Sequence, residues 1–102
     1  MKKSISFLPK RKQEDLNFLV LEIRKRLPEA AMIILYGSYA RNEYVDYDEK
    51  EEFGITTIFR SDYDILVVTS GISDKKAGQI LDNIDDLYYK DPESQTPVQF
   101  IN

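Results

Sequence analysis

The stretch Ile34-Leu35-Tyr36-Gly37-Ser38-Tyr39-Ala40-Arg41, read with Ser61-Asp62-Tyr63-Asp64-Ile65-Leu66-Val67-Val68, decides how this chain folds. In the first, an apolar run breaks at Gly37-Ser38 and gives way to residues suited to a helix. In the second, two carboxylates two positions apart stand where another apolar run begins. Residues 31–36 form an unbroken apolar segment, which reads as a strand buried on both faces. Residues 61–69 read as a second core strand. Side chains alternate along a strand, so Asp62 and Asp64 share one face.

Working outward, residues 9–27 carry Leu16, Leu19, Val20, Ile23 and Leu27 at helical spacing. Pro9 suits the first helical position, Glu14 and Asp15 lie early, Arg24, Lys25 and Arg26 lie late, and Pro28 marks the stop. Tyr39–Glu43 reads as a short helix after the Gly-Ser break. Beyond the second strand, Gly71-Ile72 makes a turn and Ser73 caps a helix. Its apolar face is Ala77, Ile80, Leu81, Ile84, Leu87 and Tyr88, and Asp91-Pro92 ends it. Pro97–Ile101 reads as a third strand. Between the two decisive stretches, residues 44–60 crowd Asp46, Asp48, Glu49, Glu51 and Glu52 between two β-prone flanks, with Gly54 near the bend. That reads as a β-hairpin or flap with an acidic tip.

These elements define a small α/β (α+β) fold, a mixed β-sheet flanked by helices. The 102 residues fit one domain, spanning 1–102, with the hairpin at 44–60. A chain that stops directly after a core strand suggests the N-terminal part of a longer protein. With 42% hydrophobic and 31% charged residues the composition is that of a soluble globular protein. The net charge of −4 argues against a duplex nucleic-acid binder, which needs excess Lys and Arg. There is no secretory leader pattern and no apolar run of membrane-spanning length, so a cytoplasmic location is expected. Cysteine and histidine are absent, which excludes thiolate and imidazole metal sites, cysteine nucleophiles and histidine general bases. Any cation is then held by oxygen and is a hard one, Mg²⁺ or Mn²⁺ for example.

A strand ending in Gly and turning into a helix offers backbone N–H groups to phosphate. Gly37 lets an anion come close, the Ser38 hydroxyl donates, and Arg41 lies less than a turn away. Asp62 and Asp64 repel each other unless a cation sits between them. Each part alone is also compatible with an ordinary turn and with two solvated acids. If the two strands are neighbours, phosphate turn and metal pair meet.

The residues Gly37, Ser38, Asp62 and Asp64 in this order resemble the DNA polymerase beta-like nucleotidyltransferase superfamily. The wording around them is similar to the minimal nucleotidyltransferases, which often accompany a helical HEPN domain, in the same chain or as a neighbour, and some of which act as antitoxins. The resemblance implies a nucleotidyltransferase fold and transfer of a nucleoside monophosphate, AMP by expectation, from ATP or another nucleoside triphosphate to a hydroxyl. It implies catalytic and metal roles for Asp62 and Asp64, and nucleotide binding by Gly37, Ser38 and Arg41. Two departures stand out. The spacer of residues 39–61 is longer than in compact members, and the hairpin supplies the excess. The strand after the second helix carries Gln99 where a third carboxylate is expected, with Glu93 and the hairpin acids as substitutes. The alternative expectation is therefore a nucleotide-binding or antitoxin-like module, partnering a HEPN-type helical domain. Homo-oligomers fit either expectation.

Two surface features have two readings each, and a third has one. Tyr44, Tyr47, Tyr88 and Tyr89 are interface anchors or pack on the body of the domain. The acids at the hairpin tip are a solvated loop or dock a basic partner. Lys10-Arg11-Lys12 reads as a solvent-facing stretch of helix.

Overall fold

Apolar residues three and four apart fold the first helix and set what it covers. The computed structural model describes residues 5–45, 48–94 and 96–102, with the backbone alone described in the strands of the hairpin. Helix α1 spans Lys10–Arg26 and buries Leu16, Leu19 and Ile23, and Leu27 follows them into the core. Pro9 stands one position outside the helix, as its cap, and the first turn holds no acid. Glu14 and Asp15 therefore do not serve the helix dipole. Asp15 lies instead one helical turn before Leu19 and points into the protein, 5% exposed. The last turn carries Arg24, Lys25 and Arg26, as the sequence suggests.

The remaining elements follow in order: β1 (Ala30–Tyr36), α2 (Gly37–Ala40), β2 (Asp48–Glu52), β3 (Ile55–Phe59), β4 (Tyr63–Thr69), α3 (Asp74–Tyr89) and β5 (Val98–Ile101). The α3 helix starts where Ser73 stops the extended chain, its hydroxyl accepting the Lys76 N–H at 3.2 Å. Ala77, Leu81, Ile84 and Tyr88, at the expected spacing, bury its inner face. One main sheet has the order β1-β4-β5. β1 runs antiparallel to β4, and α3 is the crossover that brings β5 parallel to β4, so the sheet is mixed.

Strand alternation sorts this sheet into two faces. Tyr63, Ile65 and Val67 of β4 are buried, with Ile33 and Leu35 of β1 and Val98 and Phe100 of β5 packed into the same core as α1 and α3. Each fully buried Leu or Ile stabilises by about 1.5–3 kcal/mol. The other face carries Met32, Ile34 and Tyr36, then Asp64, Leu66 and Val68, then Gln99 and Ile101. Met32, Val68 and Ile101 are exposed there. This corrects the expectation that residues 31–36 are buried on both faces. β1 is an edge strand with helices on one side only, and no residue in it is fully buried.

Residues 48–59 form a separate antiparallel pair, from Asp48 opposite Phe59 to Glu52 opposite Ile55. Its turn, Phe53-Gly54, has φ of 52° and 76°, the left-handed values that a two-residue hairpin turn needs. The base is pinned by two bonds at 2.8 Å: Ser61 N–H donates to the Val45 carbonyl, and Val45 N–H donates to Ser61 Oγ. The side chains of Asp48, Glu49, Glu51 and Glu52, with Asp46 and Tyr47, lie outside the described residues.

One surface expectation changes, and another is decided between its two readings. Lys12 is buried and not solvent-facing, because it sits one turn before Leu16 on the core stripe. Its ammonium donates to Thr96 Oγ1 at 2.6 Å and lies 5.4 Å from the Tyr39 ring centre and 6.0 Å from that of Tyr63. Tyr44 stacks on Tyr39 at 4.2 Å, and Tyr88 is buried with its hydroxyl donating to the Thr96 carbonyl at 2.8 Å. Both pack on the body of the domain, while Tyr89 is 46% exposed. Among the described residues no helix is long and apolar enough to cross a membrane.

Candidate functional site

The antiparallel pairing of β1 with β4 decides the geometry of the site. It aligns Tyr36, the last residue of β1, with Asp64 near the start of β4. The chain leaving β1 therefore turns directly over Asp64. At that turn Gly37 adopts φ of 76°, and a Cβ there would collide with the Asp64 carboxylate, whose Cγ would lie 3.2 Å from it. Only glycine combines this backbone angle with so close an approach. The Gly-Ser turn and the carboxylate pair, 24 residues apart at their nearest, are brought into contact.

The α2 helix starts at Gly37 and ends at Ala40, earlier and shorter than the Tyr39–Glu43 helix read from sequence. At a single turn it carries little macrodipole. An anion at this turn would meet backbone N–H groups and the Ser38 hydroxyl, not a helix dipole. The Ser38 carbonyl accepts the Glu43 N–H at 2.8 Å, and the Gly37 carbonyl accepts that of Arg41 at 3.2 Å, which closes the loop tightly. Arg41 is exposed, with Nε 3.1 Å from Glu43 Oε2, and its charge reaches Asp64.

Tyr63, which separates the two acids in sequence, is fully buried. Its ring turns into the core, and its hydroxyl donates to Asp15 Oδ2 at 2.9 Å. Asp62 precedes β4 and Asp64 lies within it, both half-buried. Desolvation and the neighbouring Asp62 charge push the Asp64 carboxyl above its ordinary range, with Arg41 opposing them. A carboxylate held in this way gains from a nearby cation. Carboxylate oxygens are the donors a hard divalent ion takes, and the space a Cβ would occupy at Gly37 is filled by the Asp64 carboxylate.

Beneath this face lies a polar layer that the motifs do not mark. Lys12, Asp15 and Thr96 are buried and tie α1 to Tyr63 and to the approach to β5. The signal was present, since Lys12 and Asp15 occupy core-facing positions of α1 where apolar residues are the rule. At the end of α3, Tyr89 Oη accepts the Val98 N–H at 2.9 Å and feels the charge of Asp62. That places this phenol beside the start of β4.

Gln99 is the direct neighbour of Asp64 on β5, in register and on the same face. Glu93 does not replace an acid there, because it pairs with Arg11 at 3.2 Å on the α1 side. Among the described residues no group of three or more acids is arranged to hold a metal ion. No protein-family model, curated protein or solved structure matches this chain.

Proposed function

We propose that this domain is a nucleotidyltransferase-type module that binds a nucleoside triphosphate, ATP by preference, with Mg²⁺ at Asp62 and Asp64. One observation carries the reading: the Gly37 turn lies directly against the Asp64 carboxylate. Phosphate and carboxylates repel, so a turn suited to phosphate beside a carboxylate pair makes sense when a cation stands between them. In this reading the hairpin of residues 48–59 is an insertion into a nucleotidyltransferase fold.

The backbone at Gly37 and Ser38, with the Ser38 hydroxyl, holds the β- and γ-phosphates. Arg41 exchanges Glu43 for the same phosphates. Asp62 and Asp64 hold the divalent ion, which when bound neutralises charge developing on the α-phosphoryl group. An acceptor hydroxyl on a protein or small molecule gives up its proton to solvent and attacks the α-phosphorus. The bond to the β-phosphate oxygen breaks, and pyrophosphate leaves in line. The Tyr63 hydroxyl, bonded to Asp15, anchors the start of β4 to α1.

A second reading is favoured by Gln99, the uncharged neighbour of Asp64. The site then binds nucleotide without turnover, and the domain acts as an interaction module. Its partner would be a HEPN-type helical domain, seated on the sheet face where Met32, Val68 and Ile101 are exposed. Calorimetry with ATP, with and without Mg²⁺, tests what the two readings share. Binding that needs Mg²⁺ and disappears in Asp62→Asn/Asp64→Asn supports the site. Equal binding by that variant removes it. Release of pyrophosphate in the presence of an acceptor then separates enzyme from module.

A further inference from the structure

We infer that the Tyr44 ring is the stacking platform for the base of the bound nucleotide, and that the hollow beside it receives that base. This rests on the nucleotide-binding reading above and concerns a part of the ligand that neither the phosphate turn nor the carboxylates touch.

Backbone bonds place Tyr44 between the two halves of the site. Glu43, just before it, donates its N–H to the Ser38 carbonyl at 2.8 Å. Val45, just after it, exchanges two bonds of 2.8 Å with Ser61, the residue before Asp62. Tyr44 therefore bridges the phosphate turn and the approach to the carboxylate strand. Its ring is also supported from beneath. Tyr39, fully buried, lies nearly parallel to it, with ring centres 4.2 Å apart and planes 12° apart. Tyr63 packs against Tyr39 at 4.7 Å, and the Lys12 ammonium lies 5.4 Å from the Tyr39 ring centre. A platform fixed in this way loses little freedom when a ligand lands on it.

Stacking on Tyr39 leaves Tyr44 only half-buried. The part that stays open lines a hollow of about 470 Å³. Small-ligand sites run to about 300–1,000 Å³. Lys12, Asp15 and Thr96, all buried, contribute polar walls to the same hollow. An aromatic wall beside polar groups suits a flat heterocycle that stacks by its face and forms hydrogen bonds along its edge, as a nucleobase does. The base lies one ribose beyond the α-phosphate. That is a short reach from Asp62, whose neighbour Ser61 is bonded to Val45.

Two ligands separate the base from the phosphates: ATP and inorganic tripolyphosphate, each with Mg²⁺. The chain has no tryptophan, so Tyr44→Trp keeps an aromatic ring at this position and supplies the sole indole fluorescence. ATP should quench it, and tripolyphosphate should not. In calorimetry the native chain should bind ATP about 5- to 150-fold more tightly than tripolyphosphate, the range for one stacked base. Tyr44→Leu still covers Tyr39 and should lose that difference, Tyr44→Phe should keep it, and both should bind tripolyphosphate as the native chain does. Circular dichroism shows which variants are folded, and if Tyr44→Leu is not, the Tyr44→Trp quench decides. An unquenched indole at saturating ATP, equal binding of the two ligands by the native chain, or an unchanged difference in folded Tyr44→Leu would overturn the inference while leaving the phosphate and cation site in place. Neither ligand bound by the native chain would overturn the inference and the nucleotide-binding reading together.

Discussion

Replacing Gly37 with alanine isolates the contact on which the site depends. Gly37 has φ of 76°, and its added Cβ would meet the Asp64 carboxylate. Gly71 supplies the control, because it has φ of 79° and nothing within 4 Å of an added Cβ. The left-handed backbone angle alone costs a non-glycine residue about 1–2 kcal/mol. Gly71→Ala should lose that much and no more. Gly37→Ala should lose the same amount, plus about 1–3 kcal/mol for displacing a packed neighbour. Its total of about 2–5 kcal/mol is smaller than the stability of most domains, about 5–15 kcal/mol, so the variant should still fold at 25 °C. Urea unfolding of both variants measures the difference, and about 1 kcal/mol corresponds to a 4–8 °C shift in Tm at this size. Truncating the obstacle should restore part of the loss, so Gly37→Ala/Asp64→Ala should be more stable than the sum of its single variants predicts. Equal losses for Gly37→Ala and Gly71→Ala, with no coupling to Asp64, would refute the close approach of turn and carboxylate.

Three further outcomes follow from the same structure. Asp15→Ala leaves the buried Tyr63 hydroxyl without its acceptor and should cost about 1.5–3 kcal/mol by urea unfolding, whereas the exposed Glu14→Ala should change little. Burial and the charges of Asp86 and Asp82 hold the Asp85 carboxyl above its ordinary value of 3.8. The folded state then binds that proton more tightly than the unfolded chain, so ionised Asp85 lowers stability at neutral pH, and the penalty is relieved as pH falls through the raised value. Asp85→Asn should therefore raise Tm at pH 7, with the gain fading on acidification toward 3.8; an unchanged Tm at pH 7 would count against it. Tyr89→Phe removes the acceptor of the Val98 N–H, which should speed hydrogen exchange at Val98 and cost about 0.5–1.5 kcal/mol.

Much of the architecture was legible because it is written in local spacing. The apolar repeats of α1 and α3, the Ser73 cap and the alternation along β4 each place their own element. The run at residues 31–36 misled for a physical reason. An apolar segment reports that its side chains avoid water, not how many faces are covered, and Met32 remains exposed at the sheet edge. Lys12 misled in the opposite direction, since a charge beside other charges looks solvated unless its stripe position is weighed above its type. The meeting of Gly37 with Asp64 depends on antiparallel pairing across the hairpin excursion, which neither segment encodes by itself. Gln99 was located from its place in β5, and the register gives that position its meaning by seating it beside Asp64.

The most direct measurement is a backbone amide spectrum of the isotopically labelled chain, titrated with ATP and Mg²⁺. The account predicts Mg²⁺-dependent shifts at Gly37, Ser38 and Tyr39 and at Asp62, Tyr63 and Asp64, with Gln99 following from β5. The amides of the α3 surface around Lys75 and Asp82 should stay still. Shifts centred on the Arg11–Glu93 ion pair, or none at saturating nucleotide, would contradict a nucleotide site at the Gly37 turn.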